Sequence, residues 1–207
     1  MLSVGFLLTT FISIFSIVNP FTAMPVFLAL TQDLSNQERN RQARWGAIYM
    51  VIILGAFLFG GQYIISFFGI SIEGIRIAGG LMIMRFAYSL LNPAEGGRKI
   101  TPEDEQESQN KPDISFSPLA MPLLSGPGSI AVVLGFGSQT TGVIDAFVVF
   151  AAIVLVAVAV YGVLYVAPQL IKVLGKTGMT ALTRMMGFIA LCIGVQFIIN
   201  GISMLIA

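Results

Sequence analysis

Charge divides this chain into long neutral runs: Met1 to Gln32, Trp45 to Ile72, Ile114 to Ile144, Ala146 to Ile171 and Met185 to Ala207. A helix of about 20 apolar residues covers a hydrocarbon core of about 30 Å, so each run is long enough to cross a membrane even when tilted. A sixth segment, Ile75 to Leu91, is apolar apart from Arg76 and Arg85 and reads as a further crossing. The runs lack the period-two alternation of barrel strands, which leaves an all-α membrane protein with six transmembrane helices.

Composition removes several chemistries. Of 207 residues, 56% are hydrophobic and only 10% charged, with a mean hydropathy of +0.89. The net charge of +1 carries no basic cluster, so neither a nucleic-acid partner nor a polybasic membrane-surface motif is expected. The absence of histidine removes imidazole metal sites, Ser-His and Cys-His pairs and histidine proton relays, and the single Cys192 removes thiol redox pairs. No enzyme activity, cofactor or metal site is expected.

Lysine and arginine set the orientation, because short cytoplasmic loops carry their excess. Arg39, Arg41 and Arg44 follow helix 1, Arg98, Lys99 and Lys111 follow helix 3, and Lys172, Lys176 and Arg184 are assigned to a loop after helix 5. All nine fall on one side, so both termini are expected outside, periplasmic in a Gram-negative host. The first run lacks a basic leader and exceeds the apolar core of a signal peptide, so it is expected to be retained. The polar stretch Ile100 to Asp113 is expected to be a mobile cytoplasmic linker.

The uncharged runs at Met1 to Gln32 and Ile114 to Ile144 each contain interior prolines, which prompts a search for repetition. A shift of 108 carries Arg76 onto Arg184, Gly79 onto Gly187 and Asn92 onto Asn200, and a shift of 107 carries Pro20 onto Pro127. A shift of 102 instead pairs Pro20 and Pro25 with Pro122 and Pro127, leaving the register near helix 4 open; coincidence between biased apolar compositions is the alternative. Halves with an odd number of helices cross in opposite senses, giving two inverted three-helix repeats. The division is residues 1–91 and 118–207, joined by a cytoplasmic linker at 92–117.

Helices 1 and 4 are expected to be discontinuous. The first run would be about 45 Å long as one helix at about 1.5 Å per residue, and Asn19-Pro20 interrupts it. Asparagine is a preferred N-cap and proline favours the first helical position, so a second half-helix begins there. Pro20 also cannot donate to the Ser16 carbonyl. In helix 4, Ser125-Gly126-Pro127-Gly128-Ser129 opposes a continuous helix and restarts one at Pro127. Two half-helix N-termini meeting from opposite sides would present open N–H groups to an anion such as a carboxylate, while freed carbonyls near Ser16 and Leu123 would receive an ammonium group or a cation. A small zwitterion fits both. The candidate substrate residues are therefore Asn19, Pro20, Phe21, Thr22, Ser125, Gly126, Pro127, Gly128 and Ser129; prolines that merely bend membrane helices are the alternative.

Arg76, Arg184, Gln196 and Asn200 are candidates for a cavity or gate, against anchoring for the arginines and interhelical glue for the amides. Arg85 is read as snorkelling towards the cytoplasm. Gly55, Gly60, Gly61, Gly79 and Gly80 are read as close-packing positions. No carboxylate lies at the centre of a span, so the sequence assigns no coupling ion, and no oligomeric state follows from it.

Several stretches resemble the MarC family of integral membrane proteins: VNPFTAMP from Val18 to Pro25, FGISIEGIRIAGG from Phe68 to Gly80, PLAMP from Pro118 to Pro122 leading to Gly126-Pro127-Gly128, and RMMGF from Arg184 followed by GVQFIING from Gly194. The resemblance implies a six-helix protein of the bacterial cytoplasmic (inner) membrane within a wider group of LysE-like exporters, some of them transporters of alanine or glycine. It also implies that substrate sits at Asn19, Pro20, Gly126, Pro127 and Gly128. The leading expectation is thus a secondary transporter of small neutral amino acids working by alternating access. An exporter of drugs or other metabolites, a channel and a structural subunit are the alternatives.

Overall fold

The computed structural model describes residues 4–92, 113–140 and 142–206, which form helices and short turns with no strand among them. The helices are α1 (Val4–Val18), α2 (Pro20–Leu30), α3 (Asn36–Phe67), α4 (Ile72–Leu91), α5 (Ser115–Leu124), α6 (Pro127–Gly137), α7 (Val143–Tyr165) and α8 (Ala167–Ile206). Among the described residues five stretches are long and apolar enough to cross a membrane: Val4–Leu30, Asn36–Gly61, Ile72–Leu91, Val143–Tyr165 and Thr177–Ile206. The pair α5 and α6, bent by 64°, makes a sixth when counted as one span.

Local chemistry explains where several elements begin. Ser35 and Glu38 form a reciprocal capping box, with the Glu38 N–H donating to Ser35 Oγ at 3.2 Å and the Ser35 N–H to Glu38 Oε2 at 3.1 Å. That box starts α3 nine residues before the expected Trp45, so Arg39, Arg41 and Arg44 lie on a helix rather than in a loop. Ser71 caps α4 by accepting from the Gly74 N–H at 3.0 Å. The loop expected at Lys172 to Arg184 is also helical, broken only at Gly175, whose φ of 61° is the left-handed conformation that glycine adopts without penalty.

The segment α5 departs furthest from expectation. It is a series of wide π-type turns, with Ser117 and Met121 extended and each followed by a cis proline. Ser115 to Ser117, expected in the linker at 92–117, are its first turn; residues 93–112 of that linker, with Arg98, Lys99 and Lys111, lie outside the described residues. Two side chains fix where α5 starts: Gln42 Oε1 accepts from the Ile114 N–H at 3.0 Å, and Asp113 Oδ1 accepts from the Ser115 N–H at 2.9 Å.

The core runs between the helices, with Met24, Phe27, Met50, Leu54, Ile83 and Ile153 fully buried. Ile52, Val158, Phe188 and many other large apolar side chains face outward, an exposure suited to lipid contact and costly in water. The tightest packing joins α4 to α8 in antiparallel fashion. A Cβ placed on Gly80 would fall 2.6 Å from the Gly194 carbonyl oxygen, one on Gly187 would fall 2.8 Å from Leu90 Cβ, and one on Gly201 would fall 2.8 Å from Ile77 Cγ1. Gly187, Gly194 and Gly201 recur every seven residues, so one bare stripe of α8 lets the backbones touch. Gly60 corrects the packing expectation, because nothing lies within 4 Å of its open side.

Candidate functional site

At the first interruption Asn19 stands alone between α1 and α2 with φ 44° and ψ 74°. This left-handed conformation is tolerated by asparagine better than by most non-glycine residues. Asn19 Oδ1 accepts from the Thr22 N–H at 3.4 Å, a long cap, and Pro20 occupies the first helical position. Asn19 is only 1% exposed, yet its Nδ2 has no hydrogen-bond partner, and neither has the buried Thr22 Oγ1. Pro20 is buried and Phe21 half-buried, its ring edge-on to Phe15 at 6.0 Å.

The second interruption differs in severity. Val4–Leu30 continues as one span across Asn19, whereas α5 and α6 meet at 64°. Gly126 is the extended N-cap of α6, has no side-chain cap and is followed by Pro127. The N-terminal N–H groups of α6 therefore carry the partial positive charge of a helix end with no side-chain acceptor. The single Ser129 hydroxyl proton is shared between the carbonyls of Gly126 at 2.9 Å and Leu124 at 3.2 Å, Gly126 O also accepts from the Ile130 N–H at 3.1 Å, and Ala120 O accepts from the Ser125 N–H at 2.7 Å, so the Gly126 and Ala120 carbonyls already have donors. Ser125 Oγ, by contrast, is buried without a partner. Unsatisfied buried side chains are scarce in folded proteins; among the described residues, those at Asn19, Thr22 and Ser125 flank the two interruptions, and Thr10 lies apart on α1.

A cavity of about 250 Å³ opens against the second interruption. Gly126, Pro127, Gly128 and Ser129 line one side with Ile17 of α1; Arg85 and Ser89 of α4 face them. Asn19, Pro20, Phe21, Thr22 and Ser125 do not line it, but Ile17 lies two residues from Asn19 and would stand 3.3 Å from a Cβ on Gly128. Arg85 has no hydrogen-bond or ion-pair partner among the described residues. Snorkelling towards the cytoplasm is what its sequence position predicts; its place on the same cavity as the α6 N-terminus depends on how α4 docks, which helical periodicity does not encode.

A second cavity of about 610 Å³ lies further along α1 and α6. Its walls include Thr9 and Ser13 of α1, Phe136 of α6, and Gln196 and Asn200 of α8. Gln196 Nε2 donates to Asn200 Oδ1 at 2.8 Å. Ser13 borders the larger cavity and Ile17, one turn on, the smaller, so the two are stacked along α1. Arg76 and Arg184 line neither. Arg76 is buried near the end of α8, where its Nη1 lies 2.8 Å from Met204 Sδ and its Cβ meets Gly201, whereas Arg184 is exposed near the other end of the α4–α8 pair.

Comparison with known proteins places this architecture. The profile described as MarC family integral membrane protein matches residues 4–206. The membrane protein YhcE of Escherichia coli is 35% identical over 193 residues, covering 93% of this chain and 90% of that protein. A membrane protein of Methanocaldococcus jannaschii is 38% identical, covering 95% of this chain and 96% of its own. The inner membrane protein MarC of Salmonella typhimurium is 37% identical, covering 90% and 89% respectively. No solved structure matches the chain.

Proposed function

We propose that this chain, which belongs to the MarC family of integral membrane proteins, is a secondary transporter of small neutral amino acids such as alanine or glycine. It lies in the lipid bilayer; on this reading it is a multi-pass protein of the cytoplasmic membrane, in keeping with relatives named inner membrane proteins. The observation that carries the proposal is the approach of the two proline interruptions through Ile17 and Gly128, with unsatisfied polar groups at both.

On this reading the substrate carboxylate takes the open N–H groups of α6 and the Arg85 guanidinium, two sources of positive charge on one cavity. Asn19 Nδ2 and Thr22 Oγ1, buried rather than on the cavity wall, supply neutral polar groups once α1 and α6 part, and a small side chain fits because Gly128 leaves little room beside Ile17. Helices 1 and 4 act as discontinuous spans of two inverted repeats, α1 to α4 and α5 to α8. Two features support the repeat: each half opens on a proline-interrupted segment, and each closes on a helix of the shared glycine seam.

Alternating access then exposes the site in turn through the smaller and the larger cavity, which adjoin along α1. With the termini outside, as the lysine and arginine distribution favours, the smaller cavity faces inward and the larger outward. The larger cavity, walled partly by Phe6, Phe136 and Phe197, favours a second reading in which the cargo is a bulkier apolar metabolite or drug. Thermal unfolding of the purified protein against single amino acids separates them, since a ligand of the folded state raises its melting temperature. Alanine or glycine raising it supports the first reading; no amino acid doing so while an apolar compound does supports the second.

A further inference from the structure

A third cavity, of about 410 Å³, lies away from both interruptions at the first turns of α3, walled by Gln37, Glu38, Asn40, Arg41 and Arg44 and by Tyr161 of α7. We propose that it binds the phosphate-bearing headgroup of an anionic phospholipid, with the acyl chains running down the groove between α3 and α7.

Charge and its partners point to the headgroup. Arg41 and Arg44 are three residues apart on one helix face, both exposed, and neither has a hydrogen-bond partner among the described residues. Their neighbours are engaged elsewhere: Arg39 donates to Thr31 O at 3.0 Å and Thr31 Oγ1 at 3.2 Å, and Glu38 Oε2 accepts from Ser35 Oγ at 2.7 Å. Two exposed guanidinia with no hydrogen-bond partner, Arg41 set only against the charge of the neighbouring Glu38 carboxylate, beside amide and phenol groups suit a phosphodiester, which accepts from several donors at once.

Depth and surface distinguish a lipid from a soluble phosphate. Tyr161 walls the cavity and pairs with Tyr165 at a ring distance of 6.0 Å, and Trp45, next in sequence to Arg44, pairs with Tyr49 at 5.6 Å; aromatic side chains are enriched where headgroups meet hydrocarbon. The cavity also sits where the Asn36–Gly61 span begins. Beyond Arg44, α3 turns Ile48 and Ile52 outward, while α7 turns Val158 and Leu155 outward beyond Tyr161. The two helices run antiparallel, with Phe59 facing Phe147 and Phe150 at ring distances of 6.3 and 5.7 Å, so both apolar tracks lead from the cavity in the same direction. A polar head pocket continued by an exposed apolar groove is the outline of a phospholipid.

The test is thermal unfolding of the full chain in a neutral detergent with added phosphatidylglycerol, phosphatidylcholine or soluble glycerol 3-phosphate. Phosphatidylglycerol is expected to raise the melting temperature by roughly 5 °C more than phosphatidylcholine, with no effect of glycerol 3-phosphate. Arg41→Gln combined with Arg44→Gln is expected to abolish that difference, and Arg85→Gln, in another cavity, to keep it. Equal shifts from the two lipids, an equal shift from glycerol 3-phosphate, or an undiminished shift in the double variant overturns the proposal. The wild-type comparison decides alone if the double variant does not fold. None of these outcomes depends on whether the protein carries amino acids.

Discussion

Gly128 lies against Ile17: a Cβ on Gly128 would stand 3.3 Å from Ile17 Cγ2, closer than most Cβ contacts. Ile17 belongs to the last turn of α1 before Asn19, and Gly128 is the second residue of α6, so this contact joins the two interruptions. Gly128→Ala is expected to be tolerated, because the Ile17 methyl needs to move only a few tenths of an ångström. Gly128→Leu is expected to wedge α1 from α6, lower stability by about 1–3 kcal/mol and remove the alanine-dependent rise in melting temperature. Thermal unfolding with and without alanine measures both effects.

Asn19 separates backbone from side-chain roles. Asn19→Ala keeps neither the cap nor easy access to φ 44°, a combined cost of about 2 kcal/mol. Asn19→Gly adopts that conformation freely and is expected to fall within about 0.5 kcal/mol of the parent. Both lose the unpartnered Nδ2, so both are expected to lose alanine binding. Binding retained by Asn19→Gly would leave the amide with a purely structural role.

The glycine seam gives a contrast between two alanines. Gly80→Ala drives a methyl to 2.6 Å from the Gly194 carbonyl oxygen, a backbone atom that cannot rotate away, and is expected to cost about 2 kcal/mol. Gly60→Ala meets nothing within 4 Å and is expected to add about 0.5–1 kcal/mol through helix propensity. Melting temperatures moving in opposite directions would support the packing described; equal losses would not.

Arg85 is expected to act on affinity. A charge-assisted bond to a carboxylate contributes about 1.5–3 kcal/mol, so Arg85→Gln is expected to raise the KM for alanine in proteoliposomes about tenfold or more. Arg85→Lys keeps the charge without the two-pronged geometry and is expected to lie between. An unchanged KM would return Arg85 to the snorkelling role that its sequence position suggests.

Much of this molecule could be read from the order of its residues. The neutral runs mark the apolar spans, and Asn19-Pro20 and Gly126-Pro127 mark helix starts because capping and missing N–H groups are local properties. Other features needed more. The capping box at Ser35 and Glu38 is visible in sequence, but hydropathy delayed the helix to Trp45. Ser117 and Met121 become extended ahead of prolines within an otherwise apolar run, where hydropathy alone cannot distinguish a regular helix from wide turns. Arg85 and the larger cavity follow from the docking of α4, α6 and α8, and contacts between remote segments leave no periodic trace.

The most direct test is counterflow: purified protein in liposomes preloaded with alanine, given a trace of radiolabelled alanine outside. A carrier built on the two interruptions predicts rapid, saturable accumulation of label by the parent chain and by Gly60→Ala, and none by Asn19→Gly despite near-parental stability. Absence of counterflow for every small neutral amino acid, or undiminished exchange by Asn19→Gly together with Gly128→Leu, would contradict it.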